Sequence, residues 1–311
     1  MSDSDGVVEF AGEATWMGQV SAGVDLIGDV QGSVVRAVPS PDAAARRIVD
    51  VCLDHVRFVN VDLSGSSFDE AVLTGVSVWA WGPDLTTGVE NMTINGVEIQ
   101  PLVDAELDRR FPERPVLRAI DDVPSMTAGM QALERMWTPT IEHAAALDPS
   151  LLDQAVGAGF SFLDTLRHLV FGFDAWVRRM ALRQDHPYHS LGLGYPDTSG
   201  TWSPGGTVPW STVGIDIHAR PTLEEALAAR RDNADLALAL LAEMSDDELR
   251  TVPPRSDAPG YPGSREPRSV WEALRTVVNE EWWHHQYAVR DLAVVERLAG
   301  RPGSPTGSDA G

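Results

Sequence analysis

The chain has 311 residues, 43% hydrophobic and 23% charged, with a formal charge of −22. That acidity argues against partners such as nucleic acid or an anionic membrane, because phosphate contacts need Lys and Arg and no basic cluster relieves the balance. The single cysteine, Cys52, excludes an internal disulfide and a cysteine-based zinc site, and no apolar run approaches the ~20 residues of a membrane span. The acidic start MSDSDGVVEF has neither the basic nor the apolar region of a secretory signal, so the expected location is cytoplasmic.

Residues 1–50 alternate Gly and Val and predict short strands, followed by a helix near PDAAARRIVDV. Residues 51–80 divide into six five-residue units: VCLDH, VRFVN, VDLSG, SSFDE, AVLTG and VSVWA. Their central positions are Leu53, Phe58, Leu63, Phe68, Leu73 and Val78, and the position two before each is small or β-branched. A period of five fits neither helix nor strand, but it fits a solenoid that turns a corner once per repeat. The segment resembles the pentapeptide-repeat family, a quadrilateral β-helix with about four repeats per coil. Six units make only about one and a half coils, so the segment must lean on another domain. A hairpin with alternating apolar positions is the competing reading. Residues 82–117 read as turns, a strand such as MTINGVEIQ and a short connecting helix.

Four longer helices follow. The first runs from about Met126 to Ala146, with Ser125 as a cap and Pro139 as a kink, and the second from Ser161 to about Arg183. The third follows Thr222, which forms a capping box with Glu225. The fourth begins at Ser269 with Glu272 and runs to about Ala299, before Gly300 and Pro302. The expected fold class is α+β, with residues 1–117 a β-rich segment packed on an antiparallel four-helix bundle at 118–299 and a disordered tail at 300–311.

The chemistry lies in VVNEEWWHHQYAVRDL, where two carboxylates precede two histidines by one helical turn. Either Glu280 with His284 or Glu281 with His285 can chelate a divalent ion, and either can be an ordinary polar pair. Helix phase favours Glu281 and His285, which fall near the centre of the stripe Val270, Leu274, Val277, Val278, Ala288, Leu292 and Val295. A carboxylate there is costly unless paired, protonated or bound to metal. His168 is the lone histidine of the second helix, on a narrow face with Gly172 and Ala175.

LRHLVFGFDAW, with Asp174 six residues after His168, resembles the second-helix signature of the DinB superfamily. EEWWHHQYAVRDL resembles its fourth-helix signature, and the Glu one turn before the final His is the variant of the mycothiol-dependent maleylpyruvate isomerase branch. The likeness covers about 120–298. It implies a metal triad of His168, Glu281 and His285, and a divalent metal, zinc above all, that activates a low-molecular-weight thiol such as mycothiol, or a water. The implied activity is thiol transfer, addition or isomerisation on a small electrophile, with no protein nucleophile assigned. Trp282, Tyr287 and Arg290 are candidates for substrate binding, Arg290 for a substrate carboxylate. Metal-dependent hydrolysis and a non-catalytic binding bundle are the alternatives, and a homodimer is left open. His55, His143, His186, His189 and His218 lack partners at ligand spacing and read as loop or surface residues.

Overall fold

The structure is a computed structural model. It describes strands Val7–Glu9, Val24–Asp29, Val34–Pro39 and Ile48–Cys52, then residues 68, 71, 73–78, 80, 82 and 85–300 apart from 157–158, 195–208 and 262–266. The chain divides into two compact units, Met1–Val76 and Ser77–Gly311.

In the first unit, β1 (Val7–Glu9), β2 (Val24–Asp29), β3 (Val34–Pro39) and β4 (Ile48–Cys52) form one sheet in the order β1-β3-β2-β4. β3 is antiparallel to β1 and β2, and β4 is parallel to β2. The last residues of the stretch expected to be helical are therefore strand, in keeping with the β-branched Ile48, Val49 and Val51. Residues 41–47 lie outside the described residues, as do most of the five-residue units and the tail 301–311. Three members of the proposed apolar column are described, Phe68, Leu73 and Val78, and all are exposed. They give no support to a buried solenoid column.

The second unit is mostly helical. It opens with a hairpin, β5 (Thr93–Ile94) and β6 (Val97–Glu98), around Asn95-Gly96. Both turn residues have positive φ, 51° and 76°, the conformation a two-residue hairpin turn requires. Helices α1 (Gln100–Arg110) and α2 (Arg114–Arg118) follow, each with Pro in its first turn. α3 (Val123–Ala145) starts earlier than its sequence suggested, because Pro124 sits in its first turn and Asp122 is the cap; Ser125 closes the capping box from the third position. The helix continues through Pro139. α4 (Pro149–Leu152) is short.

α5 (Phe162–Phe173) is capped by Ser161 and runs into a π-helical stretch, Asp174–Ala181, a device frequent near functional sites. α6 (Leu223–Glu243) and α8 (Val270–Ala299) begin at the expected capping boxes, with the short α7 (Asp246–Arg250) between them. α8 packs on α3, α5 and the π-helical stretch, and α6 packs on α3 and α5. Trp137, Leu133, Leu166, Leu274, Val278 and Trp282 are fully buried between them. The chain ahead of the helices is built into this core: Leu85 is fully buried, its N–H donates to Asn279 Oδ1 at 2.9 Å, and Arg114 Nη2 donates to its carbonyl at 3.0 Å. Among the described residues no helix is long and apolar enough to cross a membrane.

Candidate metal centre

His168 projects from α5, and Glu280 and His284 from one turn of α8. One ligand atom from each lies within 4.8 Å of the others. His168 Nε2 is 3.8 Å from Glu280 Oε2, and His284 Nδ1 is 3.3 Å from the same oxygen. Donors held about 2 Å from a zinc-sized ion stand roughly 3–4 Å apart, so the spacing fits one shared cation.

The His168 imidazole has its other edge engaged. His168 Nδ1 donates to Leu193 C=O at 3.0 Å, whereas His284 Nδ1, the nitrogen nearest Glu280 Oε2, also lies 2.9 Å from the Glu280 carbonyl, so a hydrogen there leaves Nε2 as the ring's free ligand atom. The rings face each other, with centroids 4.7 Å apart, and Phe160 lies 5.0 Å from the His168 ring. Burial, reinforced by repulsion from His168, pushes His284 down to about 4, so the ring is neutral and ligand-competent at neutral pH. Burial opposes the charge of Glu280, but its contacts with His168 and His284 outweigh it and hold the carboxyl below its ordinary value. Both histidines are buried, whereas the Glu280 side chain is 28% exposed, which leaves solvent access on its side.

Glu281 and His285, the pair expected from helix phase, are not with His168. They do lie on the deeply buried face of α8, 7% and 3% exposed. There Arg230 of α6 meets Glu281 with two hydrogen bonds, Nε to Oε1 at 3.2 Å and Nη2 to Oε2 at 2.9 Å, and also pairs with Glu134 of α3. Burial pushes the Glu281 carboxyl up, against the pull of Arg230. His285 Nε2 bonds Thr140 Oγ1 at 2.9 Å, and its ring packs on Trp137. The Arg230 guanidinium offsets the buried carboxylate here. In the sequence Arg230 stands among Ala226, Ala229, Asn233 and Ala237, the other buried positions of α6.

The other candidates separate as well. Trp282 is fully buried, its ring packed edge-on against Phe111 and below the Arg114 guanidinium. Tyr287 does border it, its ring 5.9 Å from that of His284. Arg290 lies 5.2 Å over the Tyr287 ring and pairs with Asp291 at 2.6 Å. His143, on α3, is exposed and 3.1 Å from Glu296; His186, His189 and His218 are exposed, and His55 lies outside the described residues.

Comparison with curated proteins and with solved structures gives no match. A family model described as the DinB superfamily matches residues 132–288, a span that includes His168, Glu280 and His284. DinB-like proteins commonly bind divalent metals, and the superfamily includes metal-binding enzymes. The match covers half of the chain and holds all three members of the cluster: this chain belongs to the DinB superfamily.

Proposed function

We propose that the chain is a metal-dependent enzyme in which His168, Glu280 and His284 hold one divalent ion, zinc by the character of the donors, on a DinB-like four-helix bundle. The observation that carries this reading is the convergence of two imidazoles and a carboxylate within 4.8 Å. Among the described residues the ion-pair neighbours of Glu280 are those two imidazoles, whereas adjacent Glu281 has a guanidinium. Three protein ligands leave positions open, the pattern of a catalytic and not a structural site.

When bound, the ion supplies Lewis acidity that lowers the pKa of a low-molecular-weight thiol or of water. We favour thiol transfer, addition or isomerisation on a small electrophile, with mycothiol as one candidate thiol. The protein's part is to hold the ligands neutral or singly charged, to screen the centre with Phe160 and Tyr287, and to offer Arg290 to an anionic substrate group.

The test is elemental analysis of the purified chain, followed by titration of a small thiol into cobalt-loaded protein. One ion per chain and a sulfur-to-cobalt charge-transfer band are expected. An ion without the band would turn the reading to hydrolysis by activated water, and no ion would turn it to a non-catalytic binding domain.

A further inference from the structure

The reach of a histidine ligand is set by what holds its other ring nitrogen. A carbonyl oxygen only accepts, so the 3.0 Å contact from His168 Nδ1 to Leu193 C=O places the hydrogen on Nδ1 and turns Nε2 toward Glu280. Leu193 belongs to no helix or strand, so its carbonyl must be held by something else.

Segment 189–193 is fastened along α5. Asp174 Oδ2 accepts from His189 N–H at 2.8 Å. Arg167 Nε donates to Leu191 C=O at 3.0 Å, and Leu193 N–H donates to Arg167 C=O at 3.2 Å. Arg167 Nη2 also donates to Asp216 C=O at 2.9 Å, while Asp216 N–H donates to Ser190 C=O at 2.9 Å, which closes the segment from its outer side. Gly192 N–H bonds back to His189 C=O at 2.9 Å, and Gly194 lies where a Cβ would come within 2.3 Å of the Trp210 ring. Arg167 and Asp174 are almost completely buried, 1% and 0% exposed. Burying two ionisable side chains whose polar atoms bond the main chain of this stretch costs desolvation that apolar packing would avoid. Asp174 thus spans two elements: Oδ2 accepts from the strap at His189 N–H, while Oδ1 faces Arg178 Nε at 3.0 Å.

We propose that segment 189–193 is a strap that fixes the tautomer and ring orientation of His168, and that Arg167 and Asp174 are positioning residues acting through it. The consequence for metal affinity rests on the proposed metal site; the geometry of the strap does not.

The experiment uses the full chain and three variants: Arg167→Met, Asp174→Ala and Asp174→Asn. In metal-free protein, long-range proton–nitrogen NMR correlations report the His168 tautomer, and thermal unfolding reports the fold. Cobalt affinity is then measured by absorbance against a competing chelator. The parent chain should show a single Nδ1–H tautomer. Arg167→Met and Asp174→Ala should mix the tautomers and weaken cobalt binding about 10–100-fold, the usual effect of losing such a partner. Asp174→Asn keeps an acceptor for His189 N–H and should stay near the parent in both readouts. Folded Arg167→Met and Asp174→Ala proteins with an unchanged tautomer and affinity would overturn the proposal, as would an Nε2–H tautomer in the parent. If Arg167→Met does not fold, the two Asp174 variants decide. A parent chain with the Nδ1–H tautomer that binds no cobalt would support the strap and refute the metal site.

Discussion

Glu280 and Glu281 are adjacent on α8 and serve different faces of it: Glu280 lies beside His168 and His284, and Glu281 is held by Arg230. One residue turns a helix by ~100°, which suffices to separate them. The first carboxylate is partly open to solvent and flanked by imidazoles. The second is sealed in the core and bound to a cation of the protein itself.

This division predicts which variants lose metal. His168→Ala, Glu280→Ala and His284→Ala should each reduce bound zinc, measured by elemental analysis after dialysis, to a small fraction of one per chain. Glu281→Ala and His285→Ala should retain it wherever the protein folds. Zinc lost from the second group alone would assign the site to the other register.

The Glu281–Arg230 pair predicts a stability pattern. Arg230→Met strands a buried carboxylate and should cost about 3–5 kcal/mol in urea unfolding. The double variant Arg230→Met/Glu281→Leu removes both charges and should recover much of that loss. Equal losses in the single and double variants would mean that the pair is not the source of the effect.

These two carboxylates also mark how far the sequence could be read. The burial of Glu281 and His285 was legible from the stripe through Val277 and Val278, and the starts of α6 and α8 from local capping boxes. Burial alone does not say whether a carboxylate is met by a metal or by a guanidinium; that depends on Arg230, 51 residues away in sequence. The α3 cap was misplaced because Ser125 can cap or close a capping box, and only the observed start at Val123 decides. The membership of His168 was carried by the motif with Asp174, not by helix phase, since nearly all of α5 is buried. The π-helical stretch and the hold of Leu193 on His168 arise from tertiary packing and leave no local pattern. The five-residue period is local too, and it does not say whether Phe68, Leu73 and Val78 are covered; they are exposed.

The stretch between the hairpin and α3 predicts a truncation effect. A chain starting at Ser77 keeps Leu85, Phe111, Arg114 and Leu117; one starting at residue 118 loses three fully buried side chains and the ring packed on Trp282. Each large apolar side chain so buried contributes about 1.5–3 kcal/mol. The shorter fragment should unfold on the order of 10 °C below the longer one. Equal midpoints in thermal unfolding would show that this stretch adds nothing to the core.

Asp174 predicts a pH dependence. Burial raises its carboxyl from 3.8 to about 7, against the opposing pull of His189 N–H and Arg178. Between those values the unfolded chain has released the proton and the folded chain still holds it, so stability is lost as pH rises through the window and is level above it. Asp174→Asn does not titrate. Its stability relative to the parent should rise by up to a few kcal/mol from pH 4 to pH 7. A difference that stays constant with pH would contradict the raised value.

The central claim is that His168, Glu280 and His284 form one metal site. Anomalous diffraction at the zinc edge, from crystals of the full chain grown with stoichiometric zinc, tests it most directly. The account predicts one strong peak bounded by His168 Nε2, the Glu280 carboxylate and the His284 ring. A peak beside Glu281 and His285, or none near α8, would contradict it.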